Sequence, residues 1–260
     1  MTARLPLSVI ITTYNESDNI RDAIKSVEWA QEVIVVDAYS TDGTKKIAKS
    51  LGATVWERAY RGPADQKNWA IPRAHFSWVL ILDADERASP ELHREIRQLL
   101  ALPPVQDAYW IKRHNHFMGK RVRYSGWQGD KVIRLIQRDK CRYNNKQVHE
   151  EIDDSNLRIG KLKSPLLHFT FKDVAHYLAK TERYAYWSAQ DHLPQTKRVT
   201  FFHLYLKPLF RFFKHYIWQG GILDGQVGFI ISRLMAWGVF LRYWKIKEMQ
   251  EQNANAENSR

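Results

Sequence analysis

The first hundred residues alternate short apolar runs with stretches of helical periodicity, and this alternation limits the fold more than any other feature. The apolar runs are continuous and rich in β-branched residues, which is typical of strands covered on both faces. The predicted strands are Leu7–Thr12, Glu32–Asp37, Thr54–Glu57 and Trp78–Leu82, and the predicted helices are Ser17–Val27, Thr41–Leu51, Asp65–Ile71 and Pro90–Leu100. This order predicts the α/β class, with three layers and a mostly parallel central sheet.

The pattern changes twice further along the chain. Residues 108–171 predict strands and loops, and the predicted strands are Tyr109–Ile111, Val132–Ile136 and Leu166–Phe169. Around Asp173 the composition shifts to helix with many aromatic and basic residues. The sequence therefore predicts an α/β domain over residues 1–172, a helical appendage over residues 173–248 and a frayed tail over residues 249–260.

Polar side chains follow three of the predicted strands at the point where each strand ends. They are Tyr14, Asn15 and Glu16 after the first strand, Asp37 after the second, and Asp83 to Glu86 after Trp78–Leu82. Ligands of open α/β sheets bind beyond the carboxyl ends of the strands, so these side chains share one edge. The sequence predicts a ligand site there.

Asp83 and Asp85 are candidate metal ligands, because a buried strand delivers both carboxylates to this edge. Hard divalent cations are held by one or two carboxylates and completed by substrate phosphates and water. Such a cation neutralises a diphosphate leaving group as a Lewis acid. Solvated surface acids show the same spacing by chance, and only the preceding strand favours the metal.

Asp37 has two interpretations, since a lone acid after a strand can bind a base or ribose, or cap the next helix. Thr41 and Asp42 are better placed to cap that helix. This placement leaves Asp37 freer for a ligand.

Three segments resemble the inverting glycosyltransferases of family 2, which have the A-type nucleotide-sugar (GT-A-like) fold. They are Leu7–Glu16, Val35–Thr44 and Ile81–Glu86, and the resemblance covers residues 5–170. Gly62–Ala70 and Gln147–Ile152 are similar to the branch that includes the lipopolysaccharide inner-core heptose β-1,4-glucosyltransferases. The resemblance implies transfer of a hexose, glucose from UDP-glucose, to a heptose of a lipid-linked acceptor.

The resemblance also implies roles for individual residues. Those along the nucleotide are Thr13, Asn15 and Glu16, with Asp37 at the uracil or ribose, and Asp65, Gln66, Lys67 and Asn68 lining the same pocket. Lys67 would lie near a phosphate, Asp83 near the ribose or metal, and Asp85 would coordinate Mg²⁺ or Mn²⁺.

The general base implied by the resemblance is Glu150, in a His-Glu-Glu motif where the wider family more commonly has Glu-Asp. Glu151 stays an alternative, because successive side chains of an extended segment face opposite sides and at most one points inward. His149 could orient the base or contact a phosphate. His168 could complete the metal site or be a hydrogen-bonded core residue.

The net charge of +12 is concentrated near the carboxyl terminus. Between Lys197 and Lys247 there are nine Lys or Arg, thirteen aromatic residues and one acid, Asp224. Basic residues interrupt both apolar stretches, Phe201–Trp218 and Val227–Leu241. Neither stretch therefore predicts a spanning helix of roughly 20 apolar residues. The mixture predicts helices joined by a turn at Gly220–Gly225 and lying on an anionic membrane surface. The alternative is packing on the α/β domain or on another copy, as a homo-oligomer.

The expected location is the cytoplasm, peripherally at the inner face of the cytoplasmic membrane. The single cysteine, Cys141, favours a reducing compartment, and Leu7–Ile11 reads as a strand rather than a signal-peptide core.

Three alternatives remain. The same fold could act on a polyprenyl phosphate or capsule acceptor. A nucleic-acid-binding module would suit the charge, but it gives no reason for acids at three strand ends. A sugar nucleotidyltransferase would be expected to have a glycine-rich loop after the first strand, and Thr12–Ser17 contains no glycine. The glycosyltransferase interpretation predicts no nucleic-acid partner.

Overall fold

The structure is a computed structural model that describes residues 3–144, 151–171 and 174–258 of the 260-residue chain. It divides into two compact units. The first contains the chain up to His114 together with Asp130–His168, and the second contains Asn115–Gly129 together with the chain from Phe169 onward. The sequence places a boundary near Asp173, but it does not predict that Asn115–Gly129 belongs with the helical region.

The strands and helices are numbered in chain order. The strands are β1 Leu5–Thr13, β2 Ala30–Asp37, β3 Thr54–Glu57, β4 Trp78–Asp83, β5 Glu86–Ala88, β6 Ala108–Phe117, β7 Lys120–Arg121, β8 Lys131–Gln137, β9 Ile159–Lys161 and β10 Leu166–Phe171. The helices are α1 Ile20–Lys25, α2 Thr44–Ser50, α3 Pro63–Ala70, α4 Pro90–Leu100, α5 Val174–His192, α6 Lys207–Phe213 and α7 Gly225–Asn258.

The sheet has the strand order β3-β2-β1-β4-β8-β6-β10-β5. The first four of these strands are parallel, and β8 runs antiparallel to both β4 and β6. Thr13 is in register with Asp37 of β2, and Thr12 is in register with Asp83 of β4. The carboxyl ends of β1, β2 and β4 therefore lie side by side, as the sequence predicts.

Helices cover both faces of the parallel strands, which confirms the three-layer prediction. Val9 and Ile11 of β1 pack on the side of α1, α2 and α4, whereas Ile10 packs on the side of α3. This alternation follows from the period of two along a strand. All three side chains are fully buried, because the sheet is covered on both faces.

Two helices begin later than the sequence predicts. Helix α1 begins at Ile20 rather than Ser17, and the backbone N–H of Ser17 donates to the Asp42 carboxylate instead. Helix α2 begins at Thr44 rather than Thr41, because the Asp42 carboxylate accepts from both the N–H and the hydroxyl of Thr44. The N-cap of α2 is Gly43, whose φ of 94° suits glycine.

The second unit is built mainly from α5, α6 and α7. Two π-helical turns, Phe202–Leu206 and Lys214–Trp218, flank α6, and a short 3₁₀ turn precedes α7. Gly220 and Gly225 bracket that turn with positive φ angles, which confirms the predicted turn.

One helix among the described residues, over Gly221–Asn253, has the length and composition to cross a membrane. Its mean hydropathy of 1.2 is modest, and 33% of its apolar window is buried inside the protein. This is weak evidence for a span, since core helices have the same composition.

Candidate active site

Hydrogen bonds join the turns after β1 and β2. The backbone N–H of Asn15 donates to the Ser40 hydroxyl over 2.8 Å, and the Asn15 side chain accepts from the N–H of Thr41 over 2.8 Å. The N–H of Glu16 donates to the Thr44 hydroxyl over 2.9 Å. Asn15 has a positive φ of 52°, which asparagine tolerates better than most residues. These bonds make one continuous rim at the predicted ligand edge.

Asp37 organises this rim from inside. Its carboxylate is fully buried and accepts from the N–H of Ser40 over 2.7 Å and from the Ser40 hydroxyl over 2.5 Å. Asp37 does not cap the next helix, but each of its oxygens accepts a hydrogen bond within the turn. Its contact with a base or ribose stays a prediction. The aromatic side chains of Tyr14 and Tyr39 are exposed in these two turns.

Asp42 has the capping role that the sequence predicts. Burial opposes its ionisation, but hydrogen bonds from Thr44 and Ser17 outweigh burial and lower the pKa of Asp42 to about 2. The carboxylate is thus charged at neutral pH, where it favours the N-terminus of α2.

Asp83, at the end of β4, lies in a cage of cations. Lys67 reaches it from α3 with Nζ 3.0 Å from a carboxylate oxygen, and Lys67 itself is 1% exposed. Arg134 of β8 forms a salt bridge to the other oxygen, and the Thr12 hydroxyl donates over 3.1 Å. Burial raises the pKa of Asp83, but the charges of Arg134 and Lys67 outweigh it and hold that pKa well below its usual range.

The cage extends to a second, fully buried carboxylate. Glu86 accepts from Arg134 over 3.0 Å and from Arg113 over 3.2 Å, and Arg113 also pairs with Asp130. Three cations and three carboxylates therefore balance one another. Because its charge is balanced, the network can stay ionised in a buried place.

The Asp83 pKa predicts how stability depends on pH. A lowered folded-state pKa contributes stability that is complete above the unfolded value and is lost as pH falls through the folded value. We expect Asp83→Asn to be less stable than the parent at neutral pH, and the gap to shrink below the ordinary value of 3.8. Denaturant unfolding of both proteins from about pH 6 to about pH 3 measures it. A gap that stays constant over this range would contradict the role assigned to the Asp83 charge.

Asp85, in the turn that follows β4, approaches His168 of β10. His168 Nε2 lies 3.5 Å from an Asp85 carboxylate oxygen, and β10 brings His168 beside β5. Both side chains are partly exposed, at 14% for His168 and 19% for Asp85. Among the described residues, no group of three or more His, Cys, Asp or Glu could hold a metal ion. This pair fits a cation that takes its remaining ligands from phosphates and water.

Asn68 fixes the backbone that leads into the predicted base motif. Its side-chain amide donates to the carbonyl of Tyr143 over 2.8 Å and accepts from the Tyr143 N–H over 2.8 Å. Tyr143 in turn pairs with Ile152 in an antiparallel bridge. Glu151 is exposed beside this bridge, whereas Glu150 and His149 lie outside the described residues.

The remaining predicted residues lie at the same end of the sheet. Asp65 accepts from Arg58 over 2.5 Å, and the buried Gln66 donates to the Arg58 carbonyl over 3.2 Å. Thr13 is buried, and its hydroxyl has no hydrogen-bond partner among the described residues. Glu16 accepts from the side-chain amide of Asn19 over 2.7 Å.

Comparison with known proteins identifies the family to which this site belongs. The model of "Glycosyl transferase family 2" matches residues 8–157, which include the β1, β2 and β4 ends. The chain belongs to glycosyltransferase family 2. Its fold is GT-A-like α/β, with a mostly parallel sheet and a C-terminal helix.

Relatives of this family 2 glycosyltransferase are similar along nearly their whole length. The lipopolysaccharide core biosynthesis glycosyltransferase LpsC of Rhizobium meliloti is 30% identical over 95% of this chain and 93% of its own. An uncharacterized glycosyltransferase of Rickettsia bellii is 32% identical over 95% of this chain and 87% of its own. Among solved structures, S. aureus TarS covers 96% of this chain and 92% of its own, with 15% identity and a TM-score of 0.47.

Sequence reasoning missed the two arginines of the glycosyltransferase's ion network, Arg113 and Arg134. Arg134 is 3% exposed in the middle of the apolar strand β8, and its partner Asp83 is 51 residues away. The available signal was a charged residue inside an apolar strand, since buried charges are paired.

Proposed function

We propose that this protein is an inverting hexosyltransferase that moves glucose from UDP-glucose to a heptose of the lipopolysaccharide inner core. The observation that carries the proposal is the convergence of Asp85, His168 and the Lys67–Asp83 pair at the end of β4. The family membership supports the transferase reaction, and the similarity to a core-biosynthesis enzyme supports the acceptor class.

Asp85 and His168 would hold a Mg²⁺ or Mn²⁺ ion, with Asp83 nearby. Such an ion, when bound, neutralises the charge of a departing diphosphate. The positive charge of Lys67 would also stabilise the negative charge of the diphosphate. Its ammonium lies buried beside Asp83, 5.3 Å from the centre of the Tyr143 ring. The rim formed by Asn15, Glu16 and the turn after β2 would lie along the nucleotide.

The acceptor hydroxyl requires a base as it attacks the anomeric carbon and UDP leaves from the opposite face. We assign this role to Glu150, with Glu151 as the alternative. A carboxylate in hydrogen-bond reach typically contributes about 10²–10⁴-fold to the rate. The attachment of Tyr143 to Asn68 supports the proposal, because it anchors the backbone from which the motif follows.

The base assignment predicts a contrast between two single substitutions. We expect Glu150→Gln to retain UDP binding and to lose transfer by about 10²-fold or more, since the amide cannot accept the proton. Glu151→Gln is the matched control, with the same chemical change one residue along. Transfer rates and UDP affinities of both variants measure it. If only Glu151→Gln loses transfer, the base is one residue further along than we assign.

The donor proposal is tested by calorimetric titration of the protein with UDP, with and without Mn²⁺. We expect binding that depends on the ion, and screening of UDP-hexoses then identifies the sugar. A folded protein that binds no UDP under either condition would contradict the proposed donor.

A second acceptor, a polyprenyl phosphate or a capsule intermediate, is compatible with the same site. Competition between a heptose-containing core acceptor and a polyprenyl phosphate in one transfer assay separates them. We expect the core acceptor to be used preferentially.

We also propose that the enzyme works in the cytoplasm on the inner face of the cytoplasmic membrane, where a lipid-linked acceptor would lie. The net charge of +12 and the basic aromatic region Lys197–Lys247 support attraction to anionic lipid. Self-association is the alternative use of this region.

A further inference from the structure

The segment Phe201–Trp218 exposes only apolar and aromatic side chains. The exposed residues of this segment are Phe201, Phe202, Tyr205, Leu206, Leu209, Phe210, Phe213, Ile217 and Trp218. Ile222 and Leu223, in the turn that follows, are also exposed. We call these eleven side chains the apolar face. A helix on the surface of a soluble protein normally turns its polar side to water. This segment does the opposite, because its most exposed side chains are apolar.

The apolar face forms one continuous stripe along the helix. From Phe202 onward its members recur every three or four residues to Ile217, which places them on one side of a helix. A contiguous exposed apolar surface of this kind marks an interaction site, because its exposure to water is unfavourable in free energy.

Two basic residues of the segment, Lys207 and Arg211, are turned toward other side chains of the same unit. Lys207 is half-buried, donates to the Tyr243 hydroxyl over 2.6 Å and lies 4.5 Å from the Tyr243 ring centre. Arg211 is half-buried within 3.4 Å of the His215 ring, and His215 is buried. These two cations thus lie at the border of the stripe, where Lys207 contacts α7.

The single acid between Lys197 and Lys247 is occupied internally. The Asp224 carboxylate accepts from the N–H groups of Arg123 and Tyr124 over 2.9 and 3.0 Å, and from the Ser125 hydroxyl over 2.8 Å. These three donors satisfy its charge locally. The surroundings of the apolar face are therefore basic, with no carboxylate from this region directed against an anionic partner.

We propose that the apolar face inserts into one leaflet of an anionic phospholipid bilayer, with Phe202–Trp218 lying in the plane of the membrane. Rings and aliphatic side chains of an in-plane helix enter the boundary between headgroups and acyl chains, and flanking cations contact anionic headgroups. This inference rests on the proposed membrane location and specifies its inserting surface.

Charge favours lipid over a second copy of the chain. The basic surroundings of one apolar face would meet those of another in a symmetric dimer, and like charges across an interface oppose association. Anionic headgroups supply the complementary sign.

The same placement makes α7 a support rather than a membrane span. The buried side chains Val227, Ile231 and Leu234 of α7 pack into a core with Phe117 and Tyr177 of the same unit. A crossing helix would have to leave this core. An in-plane segment keeps it intact.

Sedimentation with vesicles tests the proposal. We expect the parent protein to bind phosphatidylcholine vesicles containing phosphatidylglycerol and to bind pure phosphatidylcholine much more weakly. Leu209→Glu should weaken binding by roughly tenfold or more, as lost burial of one leucine implies. Leu102→Glu is the matched control, because Leu102 is equally apolar and exposed but belongs to the first unit, whereas the apolar face belongs to the second.

Three results would overturn the proposal. They are no vesicle binding by the parent, equal losses in the two variants, or a parent dimer that Leu209→Glu converts to monomer without changing vesicle binding. UDP binding by each protein is measured in parallel. It checks that the variants are folded and keeps a failure of the donor proposal separate from a failure of membrane insertion.

A fluorescent label tests the depth of insertion. The single cysteine, Cys141, is buried, and burial raises its pKa to about 11, so Cys141→Ser provides a background for labelling. On that background, an environment-sensitive dye at Phe210→Cys should shift to the blue on anionic vesicles, and the same dye at Leu102→Cys should not. Extraction of the bound protein by alkaline carbonate is also expected. Resistance to extraction, as shown by spanning proteins, would overturn the in-plane orientation.

Discussion

Replacing Asp85 with alanine is expected to abolish ion-dependent binding of UDP and to reduce sugar transfer by roughly 10²–10³-fold, while the protein remains folded. We propose Asp85 as the ion ligand, because its carboxylate lies 3.5 Å from Nε2 of His168, the second candidate ligand. Several kcal/mol of charge stabilisation would be lost with it.

The matched control is Asp154→Ala, which removes an exposed carboxylate from a loop of the same unit. UDP titrations with and without Mn²⁺, together with transfer rates and thermal midpoints, measure all three proteins. His168→Ala should weaken ion-dependent binding less than Asp85→Ala, because a neutral ligand is lost rather than a charged one. Undiminished transfer by Asp85→Ala would remove Asp85 from the site.

Replacing Arg134 with methionine is expected to destabilise the protein by about 3 kcal/mol, at the low end for a broken buried ion pair, because Asp83 and the buried Glu86 each lose one of two cations. Arg134 is the shared member of two ion pairs, with Asp83 and with the fully buried Glu86. Methionine fills similar space without charge, so the loss measures the charge rather than a cavity. Within the described residues, Arg113 would remain paired with Glu86 and Lys67 with Asp83.

Unfolding in denaturant measures this effect, with Arg94→Met as the control. Arg94 pairs with Glu91 on an exposed face of α4, where such pairs contribute about 0–1 kcal/mol. The double variant Arg134→Met with Glu86→Gln should recover part of the stability, because Arg113 then no longer has to balance the charges of both Glu86 and Asp130. Equal effects of the two arginine substitutions would contradict the buried network.

The sequence predicts the sheet well, because its strands are covered on both faces and keep continuous apolar runs. It predicts helix starts less well, because these depend on bonds between distant residues. Ser17 is a good capping residue by type, yet its N–H donates to Asp42, 25 residues away, and the helix begins later. Asp37 shows the same limit, since only the fold reveals that Ser40 occupies both of its oxygens.

The orientation of side chains in the C-terminal region is also absent from the sequence. Basic and aromatic residues alternate there, and the pattern predicts cations facing lipid. Which side of the helix faces outward depends on packing with α7, and in the structure Lys207 turns toward Tyr243. Composition therefore predicts the kind of partner, and packing decides which residues meet it.

Two consecutive residues of α3, Lys67 and Asn68, connect the proposed donor site with the segment that leads to the proposed base. Lys67 holds the charge of Asp83, and Asn68 grips the backbone of Tyr143, from which the chain runs on to the predicted base. The ring of Tyr143 also lies 5.3 Å from the Lys67 ammonium. A shift of this one helical turn would displace both the cation beside Asp83 and the backbone at Tyr143. In the proposed reaction, a single movement of α3 would therefore change the donor side and the acceptor side together.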